Sequence, residues 1–188
     1  MRTITKSEIK PGMDLSWMAL DMDMVGANLS GCKMHHMNLD GVNFTGANMR
    51  DTRLVMVAGN QTRFIGANLK GAEFNFCDMW KADFTGANLC GSLMTNSSMQ
   101  YSKMRGAEAV DIYMKRVNAA RSDFSGSNIE NASISNSDFS HVDFASTNMK
   151  NVLLSEVRLW GADTDSSNIT KDQLQANIDL FDWIAHAN

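Results

Sequence analysis

The chain has 188 residues, 44% of them hydrophobic and 20% charged, with a formal net charge of −4. That length fits one domain, and the charge excludes a generally basic nucleic-acid binder. No apolar run approaches the ~18 residues of a membrane span and the N-terminus lacks the apolar stretch of a signal peptide, so neither a membrane segment nor classical secretion is expected.

Taken from the start, residues 1–16 fall outside the pattern that follows. Ile4 and Ile9 with Pro11-Gly12 predict a strand-like piece and a turn, a cap for whatever core comes next. Trp17 then opens a repeat that runs to Ile169, with a period of five. From Met24 every fifth residue is apolar (Leu29, Met34, Leu39, Phe44 and onward), and of these 30 centres only Gly59 and Thr164 depart. The residue two before each centre is nearly always small, as at Ala27, Cys32, Ala47 and Ala67. None of these 60 positions is charged, where the overall fraction of 20% would place 12. The spacing is therefore a burial pattern. It fits neither the ~3.6 of a helix nor the 2.0 of a strand, so each unit is a short extended piece plus a corner, with the two buried residues related as i and i+2.

A second period is superimposed. Gly26, Gly46, Gly66, Gly86, Gly106 and Gly126 recur every 20 residues, with Asn28, Asn48, Asn68, Asn88, Asn128, Asn148 and Asn168 two places on. Four units then make one turn, with glycine at a corner that needs an unusual φ. The expected fold is an all-β solenoid, a four-sided β-helix of about 7–8 coils and on the order of 35 Å long. Small centres at Gly59, Ala109 and Ala119 predict either thin places in the core or methionines from the next turn filling them, for the centres are rich in Met.

The units Ala82-Asp83-Phe84-Thr85-Gly86 and Ala87-Asn88-Leu89-Cys90-Gly91 resemble those of the pentapeptide-repeat proteins. The resemblance implies a right-handed quadrilateral β-helix over 17–169.

Outward positions carry whatever function exists, since n and n±20 stack about 5 Å apart. Asp123, Asp143 and Asp163, continued by Asp165, form an acidic ladder in a region, 122–188, that carries ten acidic against three basic residues. This is either a solvated face or a mimic of a nucleic-acid backbone. The second reading resembles the quinolone-resistance pentapeptide proteins, and that resemblance implies a type II topoisomerase, DNA gyrase or topoisomerase IV, as partner. Large apolar residues at outward places (Val55, Met56, Phe76, Leu93 and Tyr113, with Trp80 and Tyr101 round the next corner) predict a protein-binding patch or simple cover for backbone. The Asn ladder is expected to be structural, bonding its own backbone and its neighbours up the stack.

The histidines have no cysteine or carboxylate at ligand spacing, and no cofactor, metal or catalytic constellation is visible, so an enzyme is not expected. Cys32, Cys77 and Cys90 are an odd number of thiols and read as reduced in a cytosolic protein. Serines such as Ser92, Ser97 and Ser102 fall at inward small positions, as core residues rather than nucleophiles.

After Ile169 the run Thr170-Lys171-Asp172-Gln173 predicts a helix start, with the helix reaching about Ala187. Leu174, Ile178 and Phe181 share one stripe, which Leu180, Trp183 and Ile184 widen beyond what capping needs, so residues 170–188 are expected to cap the coil and to form a two-fold dimer. A dimer through such a helix is also what the resemblance implies for the gyrase-binding group. The lead reading is a non-catalytic protein-binding rod, with no direct nucleic-acid or membrane partner. A topoisomerase-directed DNA mimic is the specific alternative, and export into host cells as an effector is a third, which the polar N-terminus neither supports nor excludes.

Overall fold

The computed structural model describes residues 3–178, with side chains to Gln175. It is a parallel β-solenoid of about eight turns closed by a short helix. One side is regular sheet: β3 (Lys33–His35), β4 (Arg53–Val55), β5 (Glu73–Asn75), β6 (Leu93–Thr95), β7 (Tyr113–Lys115), β8 (Ser133–Ser135) and β9 (Leu153–Ser155) pair in that order, all parallel. Their register is twenty residues, as in Met34↔Leu54 and Leu54↔Phe74. Isolated parallel bridges hold the other three sides at the same interval, for example Asn38↔Ala58, Asn43↔Arg63 and Asn48↔Asn68. Four units therefore close one turn.

The period of five follows from the corners. Two residues after every centre, from Gly26 to Ser166, the backbone has φ near +50 to +72. On three sides the next N–H closes a turn onto the centre's carbonyl, as Ala27 does onto Met24 at 3.0 Å. Glycine fills eleven of these in-register corners and other residues fill the rest, so the coil imposes a left-handed conformation that most side chains resist. The fourth corner, after each of β3–β8, lacks that bond, and after β5 and β7 a side chain closes it instead. The N–H of Cys77 donates to Ser97 Oγ at 3.0 Å, and that of Val117 to Ser137 Oγ at 3.0 Å, the serine in each case coming from the next turn.

Inside, the centres from 24 to 149 are all buried. Phe44, Phe64 and Phe84 stack along one side, with ring centroids 5.4 and 4.8 Å apart, and Phe74 meets Phe64 and Phe84 edge-on. Phe124, Phe139 and Phe144 form a second aromatic cluster, and methionines such as Met94, Met99, Met104 and Met114 fill the stretch between. At Gly59 a Cβ would lie 2.6 Å from Met79 Sδ, so the next turn's methionine occupies the space that the missing side chain leaves.

At the N-terminal end the chain joins the coil at Gly12, a few residues before Trp17. Gly12 N–H donates to Ser30 O, Leu15 N–H to Lys33 O and Trp17 N–H to His35 O. These hydrogen bonds span 18 residues where those of the regular coil, such as Met24 N–H to Asn43 O, span 19, and Asp14 bridges Lys33 at an interval of 19 where Asp23↔Asn43 has 20, so the first winding is one residue short. β1 (Thr3–Ile4) lies parallel to β2 (Ala19–Leu20) and buries Ile4 at that end. At the other end α1 (Lys171–Ile178) starts with a reciprocal cap. Gln173 N–H donates to Thr170 Oγ1 and Thr170 N–H to Gln173 Oε1, while Gln173 Nε2 donates to the carbonyls of Met149 and Val152. The residues beyond Ile178 that the sequence assigns to this helix, Leu180, Phe181, Trp183 and Ile184 among them, lie outside the described residues.

Candidate functional site

Because every inward position is spent on the core, the residues free to act are those beside the centres and at the corners. The acidic ladder is in place: Asp123↔Asp143 and Asp143↔Asp163 bridge in register. Each carboxylate first serves its own turn. Oδ1 of Asp123, Asp143 and Asp163 accepts the N–H two residues on, from Ser125, Ala145 and Asp165 at 3.0, 2.8 and 2.9 Å. Asp23, Asn43 and Asp83 do the same earlier in the column, so the regularity belongs to the turn before it belongs to any ligand. Asp123 also meets Arg105 at 3.5 Å, and nearby Glu130 and Asp138 are paired with Lys150 and Arg158. Asp165 lies beside the ladder, two residues past Asp163, rather than on its next rung. The face is thus only partly acidic in effect.

Toward its two ends the Asn column is bonded rung to rung, Asn48 to Asn28, Asn148 to Asn128 and Asn168 to Asn148, while Asn68 and Asn88 accept the N–H two residues on, from Lys70 and Cys90. Glu108, where the asparagine is missing, accepts from Asn128 instead. These bonds serve the turns and the stack, the use that such a column has in the fold.

The apolar residues fall into two groups. On the β4–β7 side, Met56 and Phe76 are stacked corner residues, 51% and 54% exposed, with Val55 half-buried beside them. Leu93 and Tyr113 pair in register at the opposite edge of the same side. Round the corner from Phe76, Tyr101 stands exposed and meets half-buried Trp80 edge-on, with centroids 6.5 Å apart, while Lys81 Nζ sits 4.2 Å from the centre of the Trp80 ring. Sequence reasoning passed over six other exposed apolar side chains, Trp17, Met22, Val25, Ile65, Leu153 and Trp160. Trp17 stacks on His36 at 4.1 Å, one rung before Met56. Trp160 is 76% exposed and lies edge-on to His141, and Leu153 is exposed on β9. The signal was present, for Trp160 stands in the column of Trp80 and Leu153 in that of Leu93.

The corner conformation makes the first group unusual. Trp17, His36, Met56 and Phe76 have φ of 65, 55, 54 and 53, yet the ring or thioether they carry is largely in water. Holding an L-residue there costs roughly 1–2 kcal/mol. Of the predicted dimer contacts, Leu174 is half-buried where α1 packs beside β9, Ile178 is the last described residue, and the others fall beyond it. Among the described residues no group of three or more His, Cys, Asp or Glu is placed to hold a metal ion, and no helix is long and apolar enough to cross a membrane.

A family model for pentapeptide repeats matches in eight copies, over residues 23–55, 60–86, 72–108 and 113–163. No curated protein matches the sequence. Solved structures of similar fold include full-length QnrB1, described as a plasmid-mediated fluoroquinolone resistance protein. It is 19% identical with a TM-score of 0.53, covering 95% of this chain and 93% of that one. A trypsin-treated form of QnrB1 has 19% identity, a TM-score of 0.51 and coverage of 82% and 90%. HetL, a pentapeptide repeat protein involved in heterocyst differentiation regulation in the cyanobacterium Nostoc sp. strain PCC 7120, has 17% identity, a TM-score of 0.45 and coverage of 84% and 87%. At such identities the likeness is one of fold.

Proposed function

The chain belongs to the pentapeptide-repeat family, and on that footing we propose that it is a non-catalytic, cofactor-free protein-binding rod working in a reducing cytosol. The observation that carries this reading is the exposed corner of Met56 and Phe76. Glycine would suit both places better, and neither side chain is fully buried in return. A large apolar side chain kept at a strained and wetted position is what an interface needs and a fold does not. Val55, Leu93 and Tyr113 extend the same side, and Trp80 and Tyr101 the next. Capture of partners from an extract of the source organism by the tagged protein tests this, against a Phe76→Ser, Trp80→Ser variant. Loss of the captured bands is expected, and undiminished capture by the variant contradicts the reading.

A second reading has its own support in the register of Asp123, Asp143 and Asp163, with Asp165 at their side. Stacked carboxylates on a rod of fold similar to QnrB1 suit a site built for DNA, and the partner is then a type II topoisomerase. A DNA gyrase supercoiling assay with and without a quinolone decides it. Inhibition or protection at micromolar protein supports the reading, and neither removes it. In both readings the wide apolar stripe of Leu174, Ile178, Leu180, Phe181, Trp183 and Ile184 joins two copies, doubling the mass seen by light scattering.

A further inference from the structure

Along the edge beyond Trp80, two columns of outward side chains run side by side. Lys81, Tyr101 and Arg121 occupy successive corners, with φ of 56, 59 and 63. Arg63, Asp83 and Lys103 are bridged rung to rung on the adjoining side. The four cations are exposed and share a single carboxylate: Lys103 meets Asp83 at 3.7 Å, and none of Arg63, Lys81 or Arg121 has an acid within ion-pair distance among the described residues. A shallow depression of about 480 Å³ lies between Arg63, Lys81 and Lys103, with Ile65 in its lining. On a chain of net charge −4 this is a local inversion of sign, and three of its four cations are without an acid partner.

We propose that this edge receives an acidic polypeptide segment. Its carboxylates meet Arg63, Lys81, Lys103 and Arg121, and separate apolar side chains of the segment rest against Tyr101 and Ile65. The proposal rests on the protein-binding reading above and gives the partner its chemistry. Opposite charge is favoured because successive rungs hold these cations roughly 5 to 10 Å apart, and the one carboxylate among them, Asp83, leaves a net positive charge for a ligand to neutralise. A single nucleic-acid strand fits less well. Lys81 covers the face of Trp80 and Tyr101 abuts it edge-on, whereas strand binders offer open rings on which successive bases stack. Lys103 is followed on the next rungs by Asp123, Asp143 and Asp163, which repel a long polyanion and limit the ligand to a short segment.

Fluorescence anisotropy on the full chain tests this with labelled peptides of repeated Gly-Leu-Glu-Glu, the same peptides with Gln for Glu, and a labelled oligothymidine of similar length. The Glu peptide is expected to bind at least ten times more tightly than the Gln peptide, and to weaken severalfold as salt rises from about 50 to about 300 mM. A Lys81→Glu, Arg121→Glu variant is expected to lose at least tenfold in affinity while Arg50→Glu, at an exposed position on another side of the coil, loses none. Circular dichroism shows whether the charge variant is folded, and Lys81→Gln, Arg121→Gln, with a smaller loss, serves if it is not. Equal binding of the Glu and Gln peptides, binding undiminished in the charge variants, tighter binding of the oligothymidine, or no peptide binding at all overturns the proposal. Partner capture that persists without peptide binding sinks this inference alone and leaves the protein-binding reading standing.

Discussion

Single residues in this coil separate by what their polar atoms do. Ser97 and Ser92 both fall at small inward positions and both are buried. Ser97 Oγ accepts the N–H of Cys77 and donates to the carbonyl of Thr95, whereas Ser92 Oγ has no partner. Ser97→Ala is therefore expected to destabilise by about 1–3 kcal/mol, because it leaves a buried N–H unpaired, and Ser92→Ala to be neutral or slightly stabilising. Urea unfolding of the two variants measures the difference, and equal effects contradict the assignment. Cys77 offers a second test. Burial pushes its thiol from the ordinary 9.0 up to about 11, against hydrogen bonds from neighbouring backbone that act the other way. Between those values the unfolded chain loses the proton and the folded chain keeps it, so this stabilisation is whole below pH 9 and drains away as pH rises toward 11. Over that range the protein is expected to lose on the order of 2 kcal/mol more than its Cys77→Ser variant, which keeps an uncharged acceptor in place. Parallel curves for the two proteins contradict this.

At the scale of elements, the two ends show what an apolar pattern reveals and what it hides. The cap of α1 was legible because Thr170 and Gln173 stand at the spacing of a reciprocal cap. That Gln173 also closes the open edge of the coil was not, since nothing in a local pattern names the carbonyls of Met149 and Val152 as its acceptors. Gln173→Ala is expected to destabilise by about 1–2 kcal/mol, through the lost cap and the exposed edge. Amide exchange should speed up in β9 and α1 and stay unchanged in β4; uniform change along the rod would contradict the local role. The short first winding was equally hidden. Dropping one residue between Trp17 and Asp23 leaves Leu15 and Met24 apolar and inward, so the pattern reads the same with the register shifted. Closure of the fourth corner by serines of the next turn was invisible too, because Ser, Cys, Ala and Val all satisfy the demand for a modest side chain.

For the whole molecule, the four-sided coil was open to reading because two positions in five must be buried in every turn, and a charge at any of them would be felt by the turns on both sides. Outward residues obey no such demand. Their columns were predictable, so that Asp123 meets Asp143 and Leu93 meets Tyr113 as expected, but their pairing was not: Arg105 draws off part of the ladder's charge, and Lys81 folds onto Trp80. Function on such a rod is written in departures from the repeat, and Phe76 is the plainest. The measurement that bears most directly on this is a Phe76→Gly variant, followed by both urea unfolding and partner capture. Relief of the left-handed strain offsets the loss of a half-buried ring, so stability should stay within about 1 kcal/mol of the parent while capture falls tenfold or more. A loss of about 3 kcal/mol or more, as for a core phenylalanine, with capture intact would make Phe76 a packing residue and contradict the account.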